Sequence, residues 1–276
     1  MITPTLEGVY VKLARARFHA RDLIARTSAL VEDDGSVFRR EFDGDPSKYV
    51  YWIDRIPVVE RDLSAIVGDF LTNMRAALDH LYFQLPLLEN RCGSENDNFP
   101  IRLREPRDDS GNPRPLSTNG ITDQRVRDAL IAVQPYSHPG PATNGLHILN
   151  TLVNTDKHRL LLVVVAALEF DGMYWPVMDG APAPGHSLEV NPLHDGDPVA
   201  RFDFWGVNAD PKFDPLLELQ TRLTHTVLAS DVRLRMLSLE KLLGFLYNWV
   251  ENQVLDRHFL TFFDQPARVG SGQIDS

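Results

Sequence analysis

Nine apolar residues, Leu63, Val67, Phe70, Leu71, Met74, Ala77, Leu78, Leu81 and Leu85, fall on one stripe of a helix, and Pro86 ends it. No other stretch restricts the fold as much. A stripe more than two turns long is stable only against an apolar partner, so the chain needs a helical layer to receive it. Other segments supply that layer. Leu13, Ala16, Ala20, Leu23, Ile24, Thr27 and Val31 predict a helix over residues 8–31, and a shorter one follows over 122–133. Another runs from 144 to about 155. Leu239, Leu242, Leu243, Leu246, Val250 and Val254 mark a C-terminal helix within 231–260.

The remaining segments alternate or are β-branched. Residues 36–42 and 49–56, joined by Asp43-Gly-Asp-Pro-Ser47, predict a β-hairpin. Residues 160–170, with three consecutive valines, and 187–191, 199–205 and 216–228 predict an antiparallel sheet. Residues 88–120 are a long loop rich in Asn, Asp, Ser, Gly and Pro, pinned by Phe99-Pro-Ile101. The fold class is therefore α+β, a helical bundle with an antiparallel sheet and an N-terminal hairpin. One domain is expected over 1–276, with a mainly helical part at 8–159 that carries the hairpin at 36–56, a β-rich part at 160–230, and the C-terminal helix at 231–260.

Composition excludes several classes. The first residues lack a basic patch followed by an apolar run, and the longest apolar run, 160–168, is well short of the roughly 20 residues a membrane helix needs. A soluble, cytoplasmic protein with no membrane partner is expected. Cys92 is the single cysteine, so neither an internal disulfide nor a cysteine-rich zinc site can form. A formal net charge of −10 opposes non-specific attraction to polyphosphates, leaving only a local basic patch such as Lys12, Arg15, Arg17, Arg21 and Arg26.

Two polar stripes are candidate sites. At about 100° per residue, Asp69, Asn73 and His80 share an arc of about 40° on one flank of the second helix, while Arg75 and Asp79 lie on the other in an i, i+4 relation that permits an ion pair. On the helix from 144, His147, Asn154 and His158 share a flank, bordered by Asn150 and Thr151. Asp156-Lys-His-Arg159 then sets four ionisable groups directly before the most apolar run of the chain. The plain meaning of that run is a helix C-terminus whose cations complement the macrodipole; the functional one is a partly desolvated network.

Several of these segments carry a resemblance. The run Gly68-Asp-Phe-Leu-Thr-Asn-Met-Arg-Ala-Ala-Leu-Asp-His-Leu81, with Phe99-Pro-Ile101, Gln134-Pro-Tyr136 and Leu149-x-x-Leu152-x-x-x-Asp156-Lys-His-Arg-Leu160, resembles the shared segments of an uncharacterised bacterial family frequent in actinobacteria. It spans about residues 57–165 and brings no activity with it. More distantly, Arg75 and His80 on one helix resemble the Arg-to-His motif of HEPN (higher eukaryotes and prokaryotes nucleotide-binding) helical domains. That resemblance implies RNA or a nucleotide as partner, a homodimer that brings the motif together, and metal-independent RNA cleavage with no cofactor. His80 would be the acid/base and Arg75 would stabilise the phosphorane, with His158 in the same centre and Lys157 and Arg159 as auxiliary cations. Asp69, Asn73, Asp79, Asn154 and Asp156 would face the substrate. The sequence departs from the HEPN pattern in three ways: Arg75 and His80 are about 140° apart on an ideal helix, Ala76 replaces the usual polar residue, and the net charge is acidic.

Two other readings stay open. Asp156 and His158 with His80, Asp79 or His147 offer oxygen and nitrogen ligands for a metal-dependent hydrolase, although no metallohydrolase spacing is present. Alternatively, the polar flanks form a buried structural network in a non-catalytic ligand- or protein-binding module. No phosphate loop, dinucleotide fingerprint or nucleophile elbow occurs. His19, His138, His186, His194, His225 and His258 are scattered and read as surface or structural, and Trp52, Trp175, Trp205 and Trp249 as packing, with Trp175 and Trp205 placed to wall a pocket.

Overall fold

The computed structural model describes residues 3–33, 38–44, 48–54, 61–92, 98–118, 120–158, 163–170, 185–188, 195–203, 221–227 and 238–263. The residues expected as one domain divide into two compact units, one built from Met1–Leu23, Ser64–Leu161 and Glu240–Ser276, the other from Ile24–Leu63 and Leu162–Leu239.

The first unit is helical. It takes the first part of α1 (Glu7–Asp33), nearly all of α2 (Arg61–Gln84), then α3 (Gln124–Ala132), α4 (Gly145–His158) and α5 (Leu239–Asn248). Of the apolar stripe, Val67 to Leu85 are buried in this unit, as are Leu6 just before α1 and Val9, Leu13, Ala16, Ala20 and Leu23 on it. Each large apolar side chain so buried contributes about 1.5–3 kcal/mol relative to exposure, so the stripe that dominates the sequence also dominates this core. Helix starts follow side-chain chemistry. Asp123 accepts from the Arg125 N–H at 2.8 Å to begin α3, and Asn144 accepts from the Leu146 N–H at 2.9 Å to begin α4.

The C-terminal helix differs from the sequence expectation, for after Asn248 the chain widens into a π-helical segment, Trp249–Phe259. Buried Val250 and Leu255 are five residues apart, as are Val254 and Phe259. That recurrence suits the i to i+5 bonding of a wide turn, whereas Leu239 to Leu246 keep the ordinary helical repeat. The Leu260 N–H closes the segment onto the Leu255 carbonyl.

The second unit is antiparallel. β1 (Phe38–Phe42) and β2 (Lys48–Ile53) form the expected hairpin, with Phe42 opposite Tyr49 and the turn passing through Gly44 at φ 68°. β3 (Val163–Phe170), β4 (Gly185–Leu188), β5 (Pro198–Asp203) and β6 (Thr221–Val227) follow. The sequence suggests one later sheet beside a separate hairpin. Instead β5 and β4 extend the hairpin into a four-stranded sheet, β1-β2-β5-β4, and among the described residues β3 pairs with β6 in a second sheet. An isolated hairpin is marginal in water, and β5 occupies the otherwise unpaired edge of β2. Lys48 on β2 and Asp203 on β5 form an ion pair, and Arg201 on β5 forms another with Asp43, just after β1. Strand bounds differ by a few residues from those expected, and Trp175 and Trp205 lie outside the described residues. No helix among the described residues is long and apolar enough to cross a membrane.

Within the helical unit, α4 meets the π-helical segment at Gly145, where the Trp249 indole occupies the space a Cβ would need. Gly145→Ala is therefore expected to lower stability by about 1–3 kcal/mol through overpacking. Gly244 on α5 has no neighbour within 4 Å of an added Cβ. Gly244→Ala should raise stability by up to about 1 kcal/mol through helix propensity. Thermal or urea denaturation of the two variants checks both signs.

Candidate functional site

The Arg75 and Asp79 ion pair forms within α2, at 3.0 Å, but its main contact is elsewhere. Asp79 Oδ1 accepts the Phe99 N–H at 2.9 Å, and Arg75 Nη2 donates to the Phe99 carbonyl at 2.8 Å. The two side chains thus hold both backbone polar groups of one residue, on the two peptide units that flank its Cα. Phe99 itself is buried, edge-on to Tyr82 and Phe259 at centroid distances of 6.1 and 6.3 Å. Gln134 completes the arrangement. Fully buried, it donates to the carbonyls of Pro100 and Leu130 and accepts the Arg102 N–H at 2.9 Å. An extended loop segment with no strand to pair with is satisfied by three side chains.

The other candidate residues of α2 and α4 are dispersed. His80 is exposed and its ring lies against Gly8 of α1, where a Cβ would sit 2.5 Å from Nδ1. Asp156 lies against Gly68, where a Cβ would sit 2.6 Å from Oδ2. Gly68 and His80 are twelve positions apart on α2, about 18 Å at the helical rise. The expected meeting of His80 with the 156–159 run is thus replaced by two contacts at separate points on α2. Asp69 is exposed, and its carbonyl accepts Asn73 Nδ2 at 2.8 Å. Asn154, Lys157 and His158 are exposed, while Arg159 lies outside the described residues. The His147 carbonyl accepts from the Thr151 hydroxyl, which is ordinary helix back-bonding.

Among the described residues, no three His, Cys, Asp or Glu side chains converge as a metal site. The basic residues of α1 are dispersed as well. Arg17 lies over the Tyr247 ring, donates to its hydroxyl at 2.6 Å and approaches Glu251 at 3.7 Å, and Arg26 pairs with Asp62.

Ionisable and aromatic groups do converge beyond the C-terminal end of α3. A cleft of about 260 Å³ opens between the end of α3 with the link through Ser137, His138 and Asn144, and the π-helical segment bearing Trp249, Gln253, Val254, Arg257 and His258. The His138 ring stands edge-on to the Trp249 indole at 5.6 Å, and Phe245 supports that indole at 5.4 Å. His138 Nδ1 lies 3.1 Å from the Gly140 N–H and 3.2 Å from the Gly140 carbonyl. That carbonyl already accepts from the Thr143 N–H and hydroxyl, both at 2.9 Å. Nδ1 is therefore the acceptor of the Gly140 N–H, and the ring proton sits on Nε2.

Sequence reasoning passed over His138 and His258 because 120 positions separate them. One signal was available: Trp249, Gln253 and Arg257 recur every four residues. No family model, no curated protein and no solved structure matches the chain.

Burial and then the Arg257 charge hold the His258 imidazole below the ordinary value of 6.5. The folded state binds this proton less readily than the unfolded chain does, so the contribution to stability is complete above 6.5 and declines as pH falls toward the lowered value. Replacing His258 with Gln should flatten the decline in melting temperature between about pH 7 and pH 5.

The clamp on Phe99 has its own expected outcome. Arg75→Ala or Asp79→Ala should each cost about 1–3 kcal/mol by leaving a buried backbone group unpaired. The double variant should fall short of the sum by about 0.5 kcal/mol or more, read by denaturant titration.

Proposed function

We propose that this chain is a small-ligand-binding module whose site is the cleft between the 133–144 link and the π-helical segment, the polar residues of α2 being its framework. One observation carries the reading: Arg75 and Asp79 are both engaged on the Phe99 peptide, so Arg75 is a structural donor and not a cation held ready for phosphate. The scattered placement of His80, Asp156 and His158 agrees with it, as does the net charge of −10, which disfavours RNA. In the cleft, by contrast, an aromatic wall, a guanidinium and two imidazoles share one concave surface. Convergent polar groups on an aromatic-lined concavity are what a small-molecule site requires.

The test has two arms. Wild-type protein is expected to leave a single-stranded RNA intact, and His80→Ala to change nothing. Amide signals that move on titration with a library of small aromatic fragments are expected to map to residues 137–144 and 249–258. RNA cleavage that disappears in His80→Ala would overturn the reading, as would fragment responses gathered around residues 69–80.

A further inference from the structure

We propose that the cleft takes a small aromatic monocarboxylate, its ring against the Trp249 indole and its carboxylate on the unclaimed donors of Asn144, Gln253 and Arg257. The inference rests on the reading of this cleft as the ligand site and names the ligand's chemistry.

The hydrogen-bonding groups of the lining select for such a ligand. Asn144 is 3% exposed, and its Oδ1 accepts the Leu146 N–H, which leaves the amide nitrogen to donate. Gln253 Oε1 accepts from Arg257 Nη1 at 3.3 Å, so the Gln253 amide nitrogen and the remaining guanidinium hydrogens are left to donate. His138 has its acceptor nitrogen on the Gly140 N–H and its proton on Nε2. Ser137 donates its hydroxyl proton to the Ile131 carbonyl at 2.7 Å. The lining contains no Asp or Glu. Donors thus outnumber acceptors, and a complementary ligand brings acceptor oxygens.

Charge narrows the class. Arg257 is the one permanent cation in the lining, and among the described residues it meets no carboxylate within ion-pair distance. A guanidinium recognises a planar carboxylate with two parallel hydrogen bonds. One cation matches one negative charge. A dianionic phosphate would need a second cation, and His258 is held toward its neutral form. Shape supplies the rest. Trp249 is fixed by His138, Phe245 and the close approach of Gly145, so a flat wall exists before any ligand arrives. A volume of about 260 Å³ is just under the range of about 300–1,000 Å³ typical of drug-sized sites, which suits one or two rings.

The experiment titrates full-length protein with benzoate, benzamide, cyclohexanecarboxylate and inorganic phosphate. Binding is read by calorimetry and by the indole N–H signal of Trp249, assigned through its loss in Trp249→Phe. Benzoate should bind with a dissociation constant of about 1 mM or below, and the other three about tenfold more weakly. Arg257 is exposed, so Arg257→Gln should keep its melting temperature while weakening benzoate about tenfold. Asn144→Asp keeps an N-cap acceptor for α4 but puts a negative charge in the cleft, and should abolish benzoate binding. Benzamide or phosphate binding as well as benzoate would overturn the anion class, cyclohexanecarboxylate doing so the aromatic part, and benzoate binding unaffected by Arg257→Gln and Asn144→Asp the site. Absence of binding by all four probes also overturns the proposal. Each of these leaves the ligand-binding reading to its own test, because only His80-dependent RNA cleavage or fragments bound around residues 69–80 overturn that.

Discussion

Two side chains one turn apart on α2, Arg75 and Asp79, grip the carbonyl and the N–H of Phe99, and the organisation of the helical unit follows from that grip. Phe99 is buried and Pro100 half-buried, without a strand partner, so backbone groups there would each cost about 1–3 kcal/mol if left unpaired. Asp79, Arg75 and Gln134 remove that penalty from α2 on one side and from the end of α3 on the other. Once the peptide is held, the Phe99 ring is delivered between Tyr82 on α2 and Phe259 at the end of the π-helical segment. The same loop thereby ties α2, α3 and the C-terminal segment together, and the last two supply opposite walls of the cleft.

The segments around Gly68, Phe99, Gln134 and Asp156 touch one another in pairs. Gly68 receives Asp156, Arg75 and Asp79 hold Phe99, and Gln134 holds Pro100 and Arg102. A pattern of Gly, Arg, Asp, Phe-Pro-Ile and Gln-Pro-Tyr in this arrangement reports interlocking backbone and side chains. Its polar residues are explained by packing before any reaction is invoked. The same reasoning applies to the Arg-to-His spacing on α2: Arg75 faces the loop and His80 faces Gly8 of α1, as their angular separation on a helix requires.

What the sequence made legible is the part fixed by local periodicity and by capping. The α2 stripe, the α1 stripe, the β1–β2 hairpin and the starts of α3 and α4 each depend on residues within a few positions of one another. What it concealed depends on partners far apart in the chain. The pairing of β2 with β5 joins residues about 150 positions apart, and nothing in the hairpin's own residues names its neighbour. Arg75 and Asp79 were legible as an ion pair, but their partner is a backbone, which has no sequence signature. The α2 polar flank misled for a related reason: alignment on one helix says nothing about which neighbour faces it, and Gly8 and Phe99 are the neighbours here.

The π-helical segment matters to the site through simple geometry. Trp249 and His258 are nine residues apart, so on an ordinary α-helix, at about 100° per residue, they would point about 180° apart. Both line the same cleft. The wider turn returns His258 to the Trp249 side while Val250, Val254, Leu255 and Phe259 remain buried. Turns of this geometry are rare and are frequent at functional sites. In this chain the residue so brought round is His258, which joins the Trp249, Gln253 and Arg257 row, and the apolar residues of the same segment keep it seated in the core. The segment therefore meets two demands that one regular helix could not, and the cleft exists because it does.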